Sequence, residues 1–542
     1  MPARYARLGF ALLLAVMAVG LAPGAARADD EGGWLDQVEW RYLLKLQASI
    51  NEQEPADSSL NPNNDVLQIP SRNLNSQVRL DVNAELGPVA FFIKPRFVAE
   101  ELRWDEGTLD GETESDTESY VNEWQLRLSI ADRLYASYGR ENLQWGPSYL
   151  FSPSNPLITD NGQDNPKREV PGLDYAKLLW VPNSGWSVSL IANLDEGEAS
   201  ISRNIDSEYN TFLGQVASEA QAQLDEIERQ YQAGLAQIDQ LRNSAPGTRG
   251  PLAQEANAQA DALDALAAEQ QQAAIDEVNS TTAEIYQEAA LQRDTYNRTF
   301  QRQYAAKVDY TTLQKYATAI ASYQETDKTD EAPERIRLGG YAGWTASDAM
   351  LLYAEGSASL RGQELYPVED ASSPIGLRLA PTRLNEDDFR GVMLVGGTYT
   401  FLGGQTLVAE YLYNGAGYDS AEADRYYELR DHADNALLEP EPLPTLGLLT
   451  LAQAEDVGMR FIRRNYILLQ YQQIQVVGNL GFILRNTFNL DDGSVQVIPI
   501  LQYNVGDRWQ VFAIMSHNFG SRDSEFTSVY DHAYQLGIEF TL

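Results

Sequence analysis

Cysteine is absent from this 542-residue chain, and histidine occurs only at positions 432, 517 and 532. Without thiols there is no disulfide framework, thiolate metal site, lipoprotein anchor or cysteine nucleophile. Basic residues are also scarce. Lys+Arg number 40 against 78 Asp+Glu, a formal charge of −38, which argues against nucleic acid as a partner because phosphate binding needs a basic surface. Beyond the N-terminal segment no run reaches the roughly 18 consecutive apolar residues of a membrane helix. Patterns of the G-x-S-x-G, H-E-x-x-H or P-loop kind are missing, so neither an enzyme nor a cofactor is expected. His517 and His532, with Asp523 and Asp531 nearby, fit no metal-ligand spacing and are expected to be solvated loop residues rather than a metal site.

The N-terminus has the layout of a secretory signal: Arg4 and Arg7, an apolar run from Leu8 to Leu21, then Ala26-Arg27-Ala28. Residues 1–28 are read as a signal peptide cleaved before Asp29, which directs the chain out of the cytoplasm.

Most of the remaining sequence alternates. Val38, Trp40, Tyr42, Leu44, Leu46, Ala48 and Ile50 occupy successive even positions, with mostly polar residues between them. Val78 to Leu86, Trp186 to Leu194 and Tyr534 to Leu542 repeat the pattern. On a strand, such a segment has one apolar and one polar face. Short turns such as Gly87-Pro88 and Val477 to Asn479 alternate with long polar connections: Asn51–Arg72, Asp105–Ser119, Trp145–Gly172, Arg361–Asp388 and Gly415–Met459. That rhythm predicts an all-β transmembrane fold, an antiparallel up-and-down barrel of about 18 strands (alternatively 16), with short turns on one rim and long loops on the other. A soluble sandwich also alternates. Trp and Tyr near strand ends (Trp40, Trp124, Trp180, Trp186, Trp344, Trp509) and the apolar C-terminal strand favour the barrel.

One segment breaks the rhythm. From 207 to 302, Leu213, Val216, Ala220, Leu224, Ile227, Tyr231, Ile238 and Leu241 fall at spacings of three, four or seven among Gln, Glu and Ala. A second such stretch begins at Leu252, after Pro246, Gly247, Gly250 and Pro251. The expectation is an antiparallel helical hairpin of coiled-coil type, inserted between barrel parts 29–206 and 303–542. Seven strands precede it, so a periplasmic N-terminus puts the hairpin outside, where it could meet a protein partner.

Strand parity assigns lumen-facing residues. The basic set is Arg41, Lys45, Arg79, Lys94, Arg96, Arg127, Lys177, Lys307, Arg335, Arg337, Arg390 and Arg485, against a smaller acidic set of Glu39, Asp81, Glu85, Glu100, Glu123, Asp309, Glu355, Glu410 and Glu539. Either the cations favour anions in a low-dielectric passage or they pair with the acids and brace the barrel. The connection Trp145–Gly172 is long for a hairpin loop. It either folds inward, bringing Arg140, Lys167 and Arg168 to a constriction, or stays external without a gating role.

Tyr138-Gly139-Arg140 with Trp145-Gly146, and the segment Gly339 to Glu355, resemble 18-stranded outer-membrane barrels of the alginate-export and substrate-specific porin type. The resemblance covers roughly 34–194 and 304–542; the helical insertion departs from it. It implies passive passage through a basic lumen, in the outer membrane of a Gram-negative bacterium. The expected partners are outer-membrane lipid and lipopolysaccharide, the barrel-assembly machinery through the C-terminal strand, and an anionic solute or polymer. The competing expectation is a surface interaction or assembly protein that displays the hairpin on a plugged barrel.

Overall fold

The computed structural model describes residues 38–157, 165–194, 205–244, 251–299, 302–325, 336–359, 365–381, 390–440, 442–457, 461–522 and 524–542. The signal sequence and Arg335 lie outside them.

Before the insertion come β1 (Glu39–Pro55), β2 (Arg72–Leu86), β3 (Val89–Arg103), β4 (Thr113–Ala131), β5 (Leu134–Glu141), β6 (Leu173–Asn183) and β7 (Trp186–Asn193). Helices α1 (Ile205–Ser244) and α2 (Pro251–Thr299) follow, then β8 (Gln303–Thr311), β9 (Lys315–Gln324), β10 (Ile336–Ser347) and β11 (Met350–Ser359). A small hairpin of β12 (Leu365–Glu369) and β13 (Leu377–Pro381) precedes β14 (Arg390–Thr400) and β15 (Gln405–Asn414). After α3 (Ser420–Ala436) and α4 (Leu443–Asp456) the chain ends in β16 (Asn465–Val477), β17 (Leu480–Asn489), β18 (Val495–Val505), β19 (Trp509–Phe519) and β20 (Tyr530–Thr541).

With β12 and β13 set apart, each strand pairs antiparallel with the next in sequence, and β20 returns to β1 with Ala48 opposite Ile538. The result is a closed 18-stranded barrel, so the 16-stranded alternative falls away. Closure leaves no edge, and every strand finds its ladder partner without water; this is the sheet construction that can cross a bilayer. No described helix is long and apolar enough to do so. Alternation sets the two faces: Leu46, Leu126, Leu128, Leu190, Leu338, Val511 and Leu536 stand exposed on the outside, where lipid covers them. Trp40, Trp180, Trp186, Trp344 and Trp509 form an exposed ring beside the short turns, the position of an interfacial girdle. The chain is an outer-membrane-type β-barrel.

Both termini of the described barrel and eight short turns lie on one rim; the long connections, the helical hairpin and one short connection, 490–494 between β17 and β18, lie on the other. Seven strands do precede the hairpin. Its seam buries Val216, Ala220, Ile238, Ala260, Val278 and Ile285, whereas Leu241, Leu263 and Leu266, expected apolar-face residues, are exposed. Two helices alone cover only a narrow stripe, so apolar residues off that stripe remain in water.

Two of the polar connections contain regular structure that alternation did not reveal. Residues 415–459 hold α3 and α4, and 361–388 hold β12 and β13. Residues 113–119, read as part of a loop, extend β4 instead. α3 starts in a capping box, with Asp419 accepting from Glu422 N at 2.9 Å and Glu422 accepting from Asp419 N at 2.8 Å, which satisfies two otherwise orphan donors. Leu60, Val216, Ile285, Leu379, Tyr426, Leu429, Leu446, Leu451 and Ile462 form one buried core drawn from three connections and the hairpin base. The long-loop rim therefore carries a compact cap.

The sidedness is testable because the chain has no native cysteine. A membrane-impermeant maleimide should label Ala233→Cys (α1) on intact cells. Asp507→Cys, in the short turn before β19, should react only after the outer membrane is permeabilised. The reverse pattern would put the hairpin in the periplasm.

Candidate functional site: the barrel lumen and its constriction

The connection between β5 and β6 leaves the rim and folds into the barrel. On one wall, Glu355 of β11 accepts from Ser148 Oγ (2.6 Å), Ser152 Oγ (2.7 Å), Ser154 Oγ (2.7 Å) and Ser154 N (3.1 Å). Beside it Glu410 of β15 accepts from Tyr149 N (2.7 Å), Leu150 N (2.8 Å) and Tyr353 OH (2.5 Å). Charge-assisted bonds of this kind are shorter and about twice as strong as neutral ones. Two glycines make the approach feasible. A Cβ on Gly339 would stand 2.8 Å from the Ser154 carbonyl oxygen. Gly146, at φ +97°, leaves no room for a Cβ beside the Glu355 carboxylate. Leu150 and Phe151 pack onto Tyr353, Leu394, Leu412, Tyr466 and Phe526 inside the barrel.

The far end of the same connection is fixed across the lumen, by β2, β3, β19 and β20. Arg96 binds Glu169 at 2.6 and 2.9 Å and Asp81 at 2.9 Å. Arg79 reaches the Lys167 carbonyl at 2.8 Å and Glu169 at 3.7 Å. Lys167 Nζ donates to Gln510 at 2.5 Å and Glu539 at 3.2 Å. Trp145 and Leu157 contact a third wall, packing on Tyr175, Ile191 and Ala305. A loop bonded to all these strands narrows the passage; the sequence left its inward and external courses open.

The residues anticipated for the lumen and loop meet different fates. Lys94 pairs with Glu123 (2.6 Å), Lys177 with Glu141 (2.7 Å), Lys307 with Asp309 (2.5 Å) and Lys45 with Glu539 (3.8 Å). Arg140, expected at the constriction, pairs instead with Asp174 (3.2 Å) on the outward parity that it shares with Trp124, Tyr138 and Trp180. Arg337 bonds the Pro153 carbonyl and Ser357, and Arg485 bonds Gln470. Arg41 lies near the short-turn rim, 3.6 Å from Glu39. Arg127 is exposed and makes no ion pair among the described residues. Arg168 sits exposed in the loop, and Arg390 opens β14 opposite Ser359. Missed by the sequence reading were Ser148, Ser152 and Ser154. Their S-x-x-x-S-x-S spacing has meaning only once Glu355 is seen to face them.

The histidines are not loop residues. His517 and His532 sit opposite each other on β19 and β20, on the lipid-facing parity, with ring centroids 5.8 Å apart. Glu54 stands 3.2 Å from His532 Nε2. No metal-ligating group occurs among the described residues.

Above the lumen, α2 docks on α4 through Glu288, which is buried with one carboxylate oxygen unpartnered; Gln453 Nε2 donates to its backbone carbonyl at 3.0 Å. Burial pushes the Glu288 carboxyl up to about 7, and burial raises Glu284 as well. A buried carboxyl in the neutral form costs far less than the anion.

No family model matches the sequence, and no curated protein does. Among solved structures the chain is similar to OpdL of Pseudomonas aeruginosa, with 9% identity, 93% of this chain and 99% of that one covered, and a TM-score of 0.43. It is similar to OccAB2 of Acinetobacter baumannii at 9% identity, with coverage of 94% and 99% and a TM-score of 0.42. A Rhodopseudomonas blastica porin covers 93% of this chain over its whole length at 10% identity, with a TM-score of 0.33. The likeness is one of fold, the level at which the sequence itself resembles porins.

Two outcomes follow. Glu355→Ala removes the acceptor shared by the serine segment: Ser148 and Ser152 Oγ keep the Phe151 and Trp145 carbonyls, but Ser154 Oγ and N lose their partner, a loss of about 2 kcal/mol; single-channel conductance in planar bilayers should rise several-fold as the loop is freed. For Glu288 the folded pKa exceeds the ordinary 4.5, so folding favours the protonated form. Docking of α2 is therefore strongest below about pH 4.5 and weakens up to about pH 7. Hydrogen exchange across 281–289 should speed up over that window, and Glu288→Gln should flatten the dependence.

Proposed function

We propose that this chain is a channel of the Gram-negative outer membrane, through which an anionic solute or polymer passes passively, and that the inward loop and the cap close it in the state described. The barrel supplies the passage, and an inward loop tied to opposite walls supplies the constriction. The observation that favours anions is an asymmetry within the ion pairs. Lys45, Lys94 and Lys177 have side-chain exposures of 36, 31 and 22%, against 11, 15 and 11% for Glu539, Glu123 and Glu141. Lys307–Asp309 runs the other way, at 15 and 20%, and so do the pairs that anchor the loop: Arg96 at 2% against 30% for Asp81 and 28% for Glu169, Arg79 at 10% against the same Glu169, and Lys167 at 7% against 11% for Glu539. Glu355 and Glu410 are buried under the loop, so their charge is withdrawn from the passage. At Lys45, Lys94 and Lys177, and at the exposed Arg127, water meets the cation more than the carboxylate, and a low-dielectric wall magnifies that local bias; toward the long-loop rim it meets Asp116 and Glu118 instead, exposed on the lumen parity of β4. No step calls for a cofactor or for covalent chemistry.

A second reading keeps its own support: the hairpin base is built into the cap core through Val216 and Ile285, as an anchored display element would be. In that case the barrel is a plugged support and the hairpin binds a protein partner.

Reversal potentials in a salt gradient separate the two. Wild-type protein should pass anions in preference to cations, and Lys94→Ser with Arg127→Ser should move the permeability ratio several-fold toward unity. A barrel that conducts nothing, together with lost partner binding after excision of 207–302, would support the display reading.

A further inference from the structure

The face of α3 that turns toward the barrel carries an arginine whose charge nothing nearby neutralises. Arg430 is 1% exposed. Its Nη1 donates to Ser528 Oγ at 3.0 Å, and its guanidinium carbon lies 5.5 and 5.2 Å from the ring centroids of Tyr426 and Tyr427. Nε and Nη2 have no acceptor, and neither does the Tyr427 hydroxyl beside them. Among the described residues no carboxylate forms an ion pair with Arg430. Three acids act on this neighbourhood, Glu455 of α4, Asp492 and Glu525, and none pairs with Arg430 among the described residues; Glu525 and Asp492 are engaged elsewhere. Glu525 accepts from Tyr466 OH (2.5 Å), Asn489 Nδ2 (2.9 Å) and Phe461 N. Asp492 accepts from Glu525 N (3.0 Å) and from Ser494 N and Oγ. Burial pushes Glu525 up to about 8, so it is mostly neutral at pH 7.

An arginine stays protonated in any protein. Sealing one away from water against a single neutral acceptor is unfavourable, and two tyrosine rings offset only part of that. The unpartnered nitrogens are out of reach of solvent in the closed cap, so an anion cannot bind them there. If α3 lifts from the turn at 524–528, the guanidinium fork and the tyrosine hydroxyl face the mouth together. That donor set matches the geometry of a carboxylate, sulfate or phosphate group. A ligand that binds one of two states and not the other shifts the balance toward the state it binds.

We propose that Arg430, assisted by Tyr427, is the oxyanion-recognition site of the outer mouth, and that an oxyanion-bearing solute, by binding it, holds the cap open. The proposal rests on the channel reading and adds the group that senses the solute. It also gives a reason for the unneutralised charge: burial of Arg430 keeps the closed cap weakly held.

The test uses the full chain in planar bilayers with sodium sulfate added on the cap side, chloride being exchanged to hold ionic strength constant. Open probability should rise with sulfate and saturate. Arg430→Gln should raise the half-effective concentration at least tenfold and lower the basal open probability, since the neutral side chain rests more easily in the closed cap. Tyr427→Phe should shift the midpoint several-fold, and Arg430→Lys should respond weakly because a point charge lacks the fork. A heat-dependent shift in gel mobility checks that each variant is folded. Hydrogen exchange of 420–436 supplies a readout independent of current: sulfate should speed it in the wild type and not in Arg430→Gln. Equal sulfate responses in wild type and Arg430→Gln, or none in a conducting wild type, overturn the site. Absence of current together with a sulfate-induced change in exchange would overturn the channel reading and keep the site; absence of both overturns both.

Discussion

Pairing of β20 with β1 is the constraint on which the rest depends. Main-chain groups in hydrocarbon have no water to turn to, so a sheet survives there only when its last strand finds its first. In this chain the closing ladder runs from Lys45–Thr541 to Glu54–His532, and the last residue contributes as well: Leu542 N and O bond Leu44 O and N at 2.9 and 3.2 Å. Once the ring is shut, alternation hands each second side chain to lipid and the others to the interior. Charge inside, aromatic girdles outside and the difference between the rims all follow from that one geometric fact.

The interior is not a simple pore lined with charge. Two kinds of carboxylate do different work. Glu123 and Glu141 neutralise neighbouring lysines while remaining less exposed than their partners, and Glu539 does the same for Lys45 while also pairing with the more buried Lys167. Glu355 and Glu410 act as acceptors for a loop that arrives from the opposite side of the barrel. Because Arg79 and Arg96 hold the far end of the same loop, a single connection, 142–172, is braced between an acidic and a basic wall. Neutralisation and selection are thus compatible: a pair can cancel on average and still present its cation to water.

The cap adds a second layer. Its core, gathered from three connections and the hairpin base, is apolar enough to hold together, yet its contacts enclose ionisable groups with unsatisfied atoms, Glu288 against α4 and Arg430 against the 524–528 turn. A well-packed interior with a few expensive buried charges is suited to two positions rather than one, since the charges lower the gap between closed and open without weakening the packing within each part.

Much of this was legible in the sequence, for identifiable reasons. A period of two is hard to mistake when it recurs through eighteen strands, and turn residues such as Gly87-Pro88 mark the short rim, so strand number, the inward parity of Arg79 and Lys94, and the hairpin all follow from local pattern. Elements whose burial comes from distant chain segments left no such mark: α3, α4 and β12 with β13 read as polar loop, and Leu263 and Leu266 read as seam although nothing covers them. What the sequence by itself determined was which side of each strand meets lipid, because that depends on neighbours two residues away. Only the tertiary structure decided that Ser148, Ser152 and Ser154 serve Glu355, about two hundred positions later, and that Arg430 is enclosed without a counter-charge. Hydrogen bonds and desolvation depend on what is near in space, and for those groups nothing near in sequence says what that is.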